Sequence, residues 1–341
     1  MTTRPTIAQI ADLSGVSIAT VSRFLNNSAS VRAATGRRIL KAAKELNYPV
    51  AEVFSVPELP LMTTERKEII LINIPSVSNP FYNDVVKGIQ DQARRRGYYT
   101  LLNVQHINFS TEAFFFDMLS SLRPCGAVIL NHLDRKYFDM LYKTLPFVQC
   151  CEYMEDQNLV SYTSIDDVQA AKSAIDYILS TGHKKVGIMT GPERYKYSRH
   201  RLHGYLQALK DADIPVNDSW IVQIPDIDFN VALSSAYKLM SQPSHPDAVF
   251  AVSDVLAAAA IRGCRNAGLS VPGDVIVTGF DNIDISQATT PTITTIDQPK
   301  YQLGCTACEF LIEKLTNPEA PPKQVLLNTE LIIRESTMKI E

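Results

Sequence analysis

Apolar residues recur along this chain in two different rhythms, and the change from one to the other divides it. In the first 48 residues they fall at helical spacing: Ile7, Ile10 and Ala11, then Val21, Phe24 and Leu25, then Ile39, Leu40, Ala43 and Leu46. This predicts three short helices. Thr6 is placed to cap the first, with Gln9 as its capping-box partner. Ser14-Gly15 breaks the pattern, and Gly15 suits a positive φ. Ser17 opens the second helix, and the third is expected over Ala33–Leu46. From Glu68 onward short apolar runs alternate with amphipathic stretches. Strands are expected at Ile69–Ile74, Thr100–Val104, Ala127–Leu130, Phe147–Cys150, Val186–Thr190, Ile221–Ile224, Ala248–Val252 and Val275–Phe280. Helices are expected between them, among others at Asp84–Arg95, Gln169–Ser180, Leu202–Asp211 and Ala257–Asn266. Strand–helix–strand alternation means parallel sheets covered on both faces. So many strands divide naturally into two doubly wound sheets, with a ligand cleft beyond the carboxyl ends of the strands. The fold class is therefore an all-α head joined to an α/β core of two lobes.

The stretch 49–66 fits neither rhythm. Pro49, Pro57 and Pro60 interrupt it, which argues against a long helix. It reads as a linker, giving a head over 1–48, a linker over 49–66 and a core over 67–341.

Composition narrows the function. Hydrophobic residues make up 45% and charged residues 20%, as in an ordinary globular protein. No apolar run reaches membrane-spanning length, and the first residues lack the apolar segment of a secretory signal. The six scattered cysteines suit a reduced compartment, so a cytoplasmic location is expected. The net charge of −3 is unevenly spread: residues 1–50 carry seven Lys and Arg against two carboxylates, a net +5 that leaves −8 on the remainder. A basic head on an acidic body points to a polyanionic partner.

Residues Gly15 to Asn26 are the most informative. A tight turn feeds a capped helix whose outer positions are small or polar: Ser17, Ile18, Ala19, Ser22, Arg23 and Asn26. Small residues let a helix sit deep in a major groove, and an arginine reads guanine O6 and N7 together. A three-helix protein-interaction module is the competing reading of the same pattern.

The head resembles the helix-turn-helix of the lactose/galactose repressor (LacI/GalR) family. The resemblance rests on Thr6-Ile7, Ala11 before Leu13-Ser14-Gly15-Val16-Ser17, Ala19-Thr20-Val21-Ser22-Arg23, Leu25-Asn26 and Glu45-Leu46-Asn47-Tyr48. It continues through Asn79-Pro80-Phe81-Tyr82, Ser180-Thr181-Gly182-His183, Arg201-Leu202-His203-Gly204-Tyr205, Val277-Thr278-Gly279-Phe280-Asp281-Asn282 and Thr294-Thr295-Ile296-Asp297-Gln298. The resemblance implies a periplasmic-binding-protein-like core, with lobe 1 over about 67–163 and 297–326 and lobe 2 over about 164–296 and 327–341. It implies a sequence-specific repressor of sugar-utilisation genes and a homodimer, with a tetramer as the alternative. The partners implied are a pseudo-palindromic double-stranded operator and a small-molecule effector, expected to be a sugar. The residues it assigns to DNA are Thr6, Ser17, Ile18, Ala19, Thr20, Ser22, Arg23 and Asn26. Those it assigns to the effector are Phe81, Asp134, Tyr197, Arg201, Phe229, Asp254 and Asp281. Carboxylates and a guanidinium for vicinal hydroxyls, with aromatic faces for a ring, suit a polyhydroxylated ligand. Gln298, at a lobe crossover, reads as structural.

Two stretches depart from the family pattern. The linker has Phe54 and Pro57 where a hinge helix usually places a small residue and a leucine, and Glu52 and Glu58 oppose phosphate. In the third helix Arg32 and Gly36 replace a capping serine and an arginine, which predicts a weaker start to that helix. Cys305 and Cys308 have redox spacing but read as the small face of a buried helix. No metal-ligand spacing, phosphate loop or nucleophile elbow is visible, so no cofactor, metal or enzymatic activity is expected. An exported sugar receptor would share the core but need a signal peptide and lack the basic head. A sugar-processing enzyme would need paired carboxylates, a nucleophile or a metal set. A regulator answering to a nucleobase or a corepressor is the remaining alternative.

Overall fold

Parallel strands bury both faces and helices bury one, so the apolar runs and stripes above fix where each element sits. The computed structural model describes residues 5–25, 31, 33–46, 48 and 68–338. Asn26, Arg32 and the linker with Glu52, Phe54, Pro57, Glu58 and Leu59 lie outside the described residues. The chain divides into two units, 1–66 and 67–341.

The first unit holds α1 (Ile7–Ser14), α2 (Ile18–Leu25) and α3 (Ala33–Glu45). The Gln9 N–H donates to Thr6 Oγ1 at 3.4 Å and the Thr6 N–H to Gln9 Oε1 at 2.8 Å, closing the expected capping box. Gly15 takes φ +64°, the left-handed conformation that ends α1. Arg38 Nη2 donates to the Gly15 carbonyl at 3.2 Å, which ties α3 to the turn. Ile10, Ala11, Val21, Ile39, Ala42 and Ala43 form the buried centre. Gly36 has a packing reason that the sequence did not reveal: a Cβ there would stand 2.8 Å from the Phe24 ring.

The second unit begins with β1 (Ile69–Ile74), α4 (Phe81–Arg95), β2 (Tyr99–Val104), α5 (Glu112–Leu122), β3 (Gly126–Ile129), α6 (Arg135–Thr144), β4 (Phe147–Cys150) and β5 (Tyr162–Ile165). Helix α7 (Asp167–Ser180) then leads into β6 (Val186–Thr190), α8 (Lys196–Asp211), β7 (Ile221–Gln223), α9 (Phe229–Met240), β8 (Ala248–Ala251), α10 (Asp254–Asn266), β9 (Ile276–Asp281), α11 (Ile285–Ala288) and β10 (Thr294–Asp297). Helix α12 (Lys300–Thr316), β11 (Gln324–Leu327) and β12 (Glu330–Ile332) follow.

The strands form two six-stranded sheets, β11-β5-β4-β3-β1-β2 and β12-β10-β9-β8-β6-β7. The first is parallel throughout, but the second carries an antiparallel edge, β12 on β10. The two doubly wound sheets are thus as expected, with this one antiparallel edge added. The chain passes between sheets three times: after β5, after β10 and between β11 and β12. These passages make the two lobes.

In the first lobe α12 lies against α4 at very close range. A Cβ on Gly304 would overlap the Val85 carbonyl, and one on Gly88 the Tyr301 carbonyl. Cys305 and Cys308 are buried in α12, and Cys305 Sγ reaches the Gly88 carbonyl at 3.5 Å, so this pair belongs to the packed face. Opposed backbone atoms cannot rotate away as a side chain can. Gly304→Ala is therefore expected to lower unfolding free energy by about 1–3 kcal/mol, the usual cost of overpacking. Urea denaturation checks this; an unchanged midpoint would show that the helices separate freely.

Candidate functional site

Strand ends, helix starts and the lobe crossovers meet at one place. Asp167, the first residue of α7, is 2% exposed and lies between two cations of α8. Lys196 Nζ donates to its Oδ2 at 2.6 Å and Arg201 Nε to its Oδ1 at 2.8 Å. Burial alone would push the Asp167 carboxyl up, but the charges of Lys196 and Arg201 outweigh it and hold the group below the usual carboxylate range.

Arg201 uses its other edge on the end of β8 and β9. Its Nη1 donates to the Val252 carbonyl at 2.6 Å and lies 3.4 Å from Asp281 Oδ1. The guanidinium is stacked 3.5 Å from the Phe280 ring centroid and 5.1 Å from that of Tyr197. Asp281 ends β9 at φ +103° and Asn282 follows at φ +48°. Lys300 Nζ secures this turn by donating to the Asp281 carbonyl at 2.5 Å and the Asn282 carbonyl at 3.2 Å. Gln298 Nε2 donates to Asp281 Oδ1 at 2.6 Å.

Asp167, Arg201, Tyr197, Asp281, Gln298 and Glu152, with Phe81 and Tyr82 at the start of α4, line a cavity of about 30 Å³ between the lobes. Asn79, Cys151, Ser164 and Ser253 also reach it. A more polar cavity of about 120 Å³ shares Asn79, Tyr82, Tyr197 and Ile227 and adds His106, Tyr195, Asp226 and Asp228. The Tyr195 and Tyr197 rings stack at 5.4 Å.

Of the seven effector candidates, Phe81, Tyr197, Arg201 and Asp281 are brought together on the wall of the first cavity. Asp254 is fully buried behind it, accepting the Thr295 hydroxyl at 2.6 Å and the Ile283 N–H at 2.9 Å. It holds the turn that carries Asp281. Phe229 packs against the core at the start of α9. Asp134 precedes α6, with its side chain 68% exposed and 3.2 Å from His132. Sequence reasoning missed Asp167, Lys196 and Glu152. Asp167 follows β5, a strand too polar to be seen, so its place at a crossover gave no signal.

On the head, α2 presents Ser17, Ile18, Ala19 and Arg23 to solvent, and Thr20 and Ser22 are half-buried. Ser17 caps the helix: its Oγ accepts the Thr20 N–H at 3.2 Å and lies 2.8 Å from Thr20 Oγ1. Arg23 is steadied by its Nε donating to the Ala19 carbonyl at 3.1 Å. Thr6 is engaged in the capping box of α1.

Residues 6–49 match the family described as bacterial regulatory proteins of the lacI family, and 175–337 match the periplasmic binding protein-like domain. The chain is 34% identical to the HTH-type transcriptional repressor CytR of Escherichia coli, over 98% of this chain and 97% of that protein. It belongs to the LacI family of transcription regulators. The HTH-type transcriptional repressor PurR of Photobacterium profundum is 30% identical over 97% of this chain and 98% of its own. Among solved structures, the transcriptional regulator CelR–cellobiose complex superposes with a TM-score of 0.73 at 25% identity, covering 98% of this chain and 100% of that one. This LacI-family protein is accordingly a helix-turn-helix DNA-binding repressor with an effector domain, in a family of regulators rather than enzymes. No helix among the described residues is long and apolar enough to cross a membrane.

The cleft carboxylates give a pH signature. Burial, then the charge of Asp281, push the Asp254 carboxyl up to about 8; burial pushes Asp281 up to about 6 against the pull of Arg201 and Lys300. A carboxyl raised in the folded state keeps a proton that the unfolded chain releases, so it stabilises below the unfolded value and that gain is lost as pH rises through the folded value. The stability of the core should therefore fall between about pH 4 and pH 8, and Asp254→Asn should flatten the fall. Urea melts of both proteins across that range check it, and equal slopes would refute the assignment.

Proposed function

We propose that this LacI-family repressor responds to a polyhydroxylated ring ligand, a sugar in the first instance, held between its lobes by Arg201, Asp281, Tyr197 and Phe81. The observation that carries this reading is the convergence of a guanidinium, a carboxylate and two aromatic side chains on one cavity wall at the carboxyl ends of the strands. Asp281 accepts a pair of vicinal hydroxyls, Arg201 donates to ring and hydroxyl oxygens, and the rings of Phe81 and Tyr197 cover an apolar face. The cellobiose complex of CelR supports the sugar class. Asp254 acts from behind by fixing the Asp281 turn, while Asp134 and Phe229 meet only a ligand that extends beyond the cavity.

In this reading α2 enters the major groove, with Arg23 on a base edge, Ser17, Thr20 and Ser22 toward the phosphates, Ile18 and Ala19 against the groove floor, and Thr6 and Asn26 flanking. A homodimer presents two such helices about 34–36 Å apart to a pseudo-palindromic operator in the cytoplasm. The ligand alters operator affinity by the difference in its affinity for two lobe arrangements.

The stacked Tyr195 and Tyr197 rings beside His106 support a second reading, in which the ring is a base and the hydroxyls are those of a ribose. Both readings share the vicinal diol, and one experiment separates them. Mobility shift is run on DNA from upstream of the protein's own and neighbouring genes, with mono- and disaccharides and with nucleosides. Release by a sugar supports the first reading, release by a nucleoside the second, and release by neither removes the diol site.

Two substitutions divide the functions. Arg23→Ala should weaken specific DNA binding at least tenfold, in line with about 1–3 kcal/mol for a bidentate base contact, and leave binding of the releasing compound intact. Asp281→Asn should weaken that compound at least tenfold by calorimetry and leave DNA affinity in its absence within about twofold. An effect of either change on the other function would contradict the division.

A further inference from the structure

Helix α8 carries Tyr197 and Arg201, yet nothing in its own sequence caps it. Its first four N–H groups need acceptors, and the residue before it, Tyr195, has no side chain bonded to them. The cap comes from the other lobe. Glu152, just past β4 in the first lobe, is 3% exposed. Its Oε2 accepts the Lys196 N–H at 2.8 Å and its Oε1 the Tyr197 N–H at 3.0 Å. A carboxylate at a helix N-terminus is also favoured by the helix dipole.

The same turn of α8 is held from the first lobe at further points. Lys196 Nζ donates to Ser164 Oγ of β5 at 3.0 Å and stands 4.6 Å over the Tyr153 ring. Glu155 lies 2.8 Å from Arg199 Nη2 and 2.6 Å from His200 Nε2. Tyr195 Oη and His106 Nδ1 are 3.3 Å apart. Glu152 is the buried centre of this set, and Glu155 and its partners are the exposed rim.

We infer that Glu152 is a positioning residue that latches the lobes together by capping α8 across the cleft. The cap exists only while the lobes are closed. When they part, α8 loses two acceptors and the Glu152 carboxylate loses both donors, so closure and the order of the turn carrying Tyr197 rise and fall together. The cavity beneath the latch is narrow, about 30 Å³, and Glu152 itself lines it. A ligand that occupies it works against the latch to enter, and Glu152 sets how much lobe closure resists it.

The test needs no ligand. The full-length protein and its Glu152→Gln and Glu155→Gln variants are compared by small-angle X-ray scattering and by amide exchange over residues 195–200. A glutamine keeps one acceptor but turns an NH2 group toward the second N–H. Glu152→Gln is expected to increase the radius of gyration and speed exchange of the Lys196 and Tyr197 amides at least tenfold, with exchange in α10 unchanged. Glu155→Gln, on the exposed rim, should act in the same direction to a smaller extent. A Glu152→Gln protein that matches wild type in radius and exchange overturns the latch. Should that variant fail to fold, Glu155→Gln decides: faster exchange of the turn supports the latch, and no change in either measurement overturns it.

Discussion

One buried carboxylate holds the functional half of this protein in register. Asp167 sits where the chain first passes from one sheet to the other, and it takes a cation on each oxygen, from Lys196 and from Arg201. Removing the carboxylate would leave two cations in an interior where an unpaired charge costs several kcal/mol. Both cations belong to the first two turns of α8. A single ionic cluster thus fixes the crossover, the helix that lines the cleft and the side chain that reaches Asp281.

Such a cluster is weak evidence for stability, because desolvation offsets much of the Coulomb attraction. Its value here is geometric. Arg201 cannot swing when its Nε is committed to Asp167, its Nη1 to Val252 and its faces to two rings. The same logic explains why the end of β9 tolerates two successive left-handed residues. Non-glycine residues there cost about 1–3 kcal/mol each. Lys300 on two carbonyls, Asp254 on the Ile283 N–H and Asp297 on the Asn282 amide at 3.0 Å hold the turn against that cost. The strain aims Asp281 into the cavity.

What the sequence disclosed follows from the same physics. Central strands such as Ile69–Ile74 are buried on both faces and announce themselves as apolar runs, so both sheets were legible from their middles. The strands at the crossovers were not: Tyr162–Ile165 and Thr294–Asp297 bury polar side chains, among them Ser164, bonded to the Cys151 carbonyl and Lys196, and Thr295, bonded to Asp254. Capping of α1 was readable because Thr6 and Gln9 are local. Capping of α8 was not, because its acceptor lies 44 residues earlier in the other lobe. Gly36 looked like a loss of helix propensity until the Phe24 ring was seen against it.

The polar saturation of the cleft also limits what it accepts. Asp167, Arg201, Asp281 and Gln298 are already hydrogen-bonded to one another or to backbone. A ligand that separates any of these pairs must supply acceptors and donors of its own, because a buried polar group left unmatched costs about 1–3 kcal/mol. An apolar molecule of suitable size therefore gains little here, whatever area it buries. A molecule rich in hydroxyls can restore each bond it displaces and still lay a ring against Phe81 and Tyr197. On the proposed reading, the selectivity of the site arises less from shape than from the cost of leaving its own network incomplete.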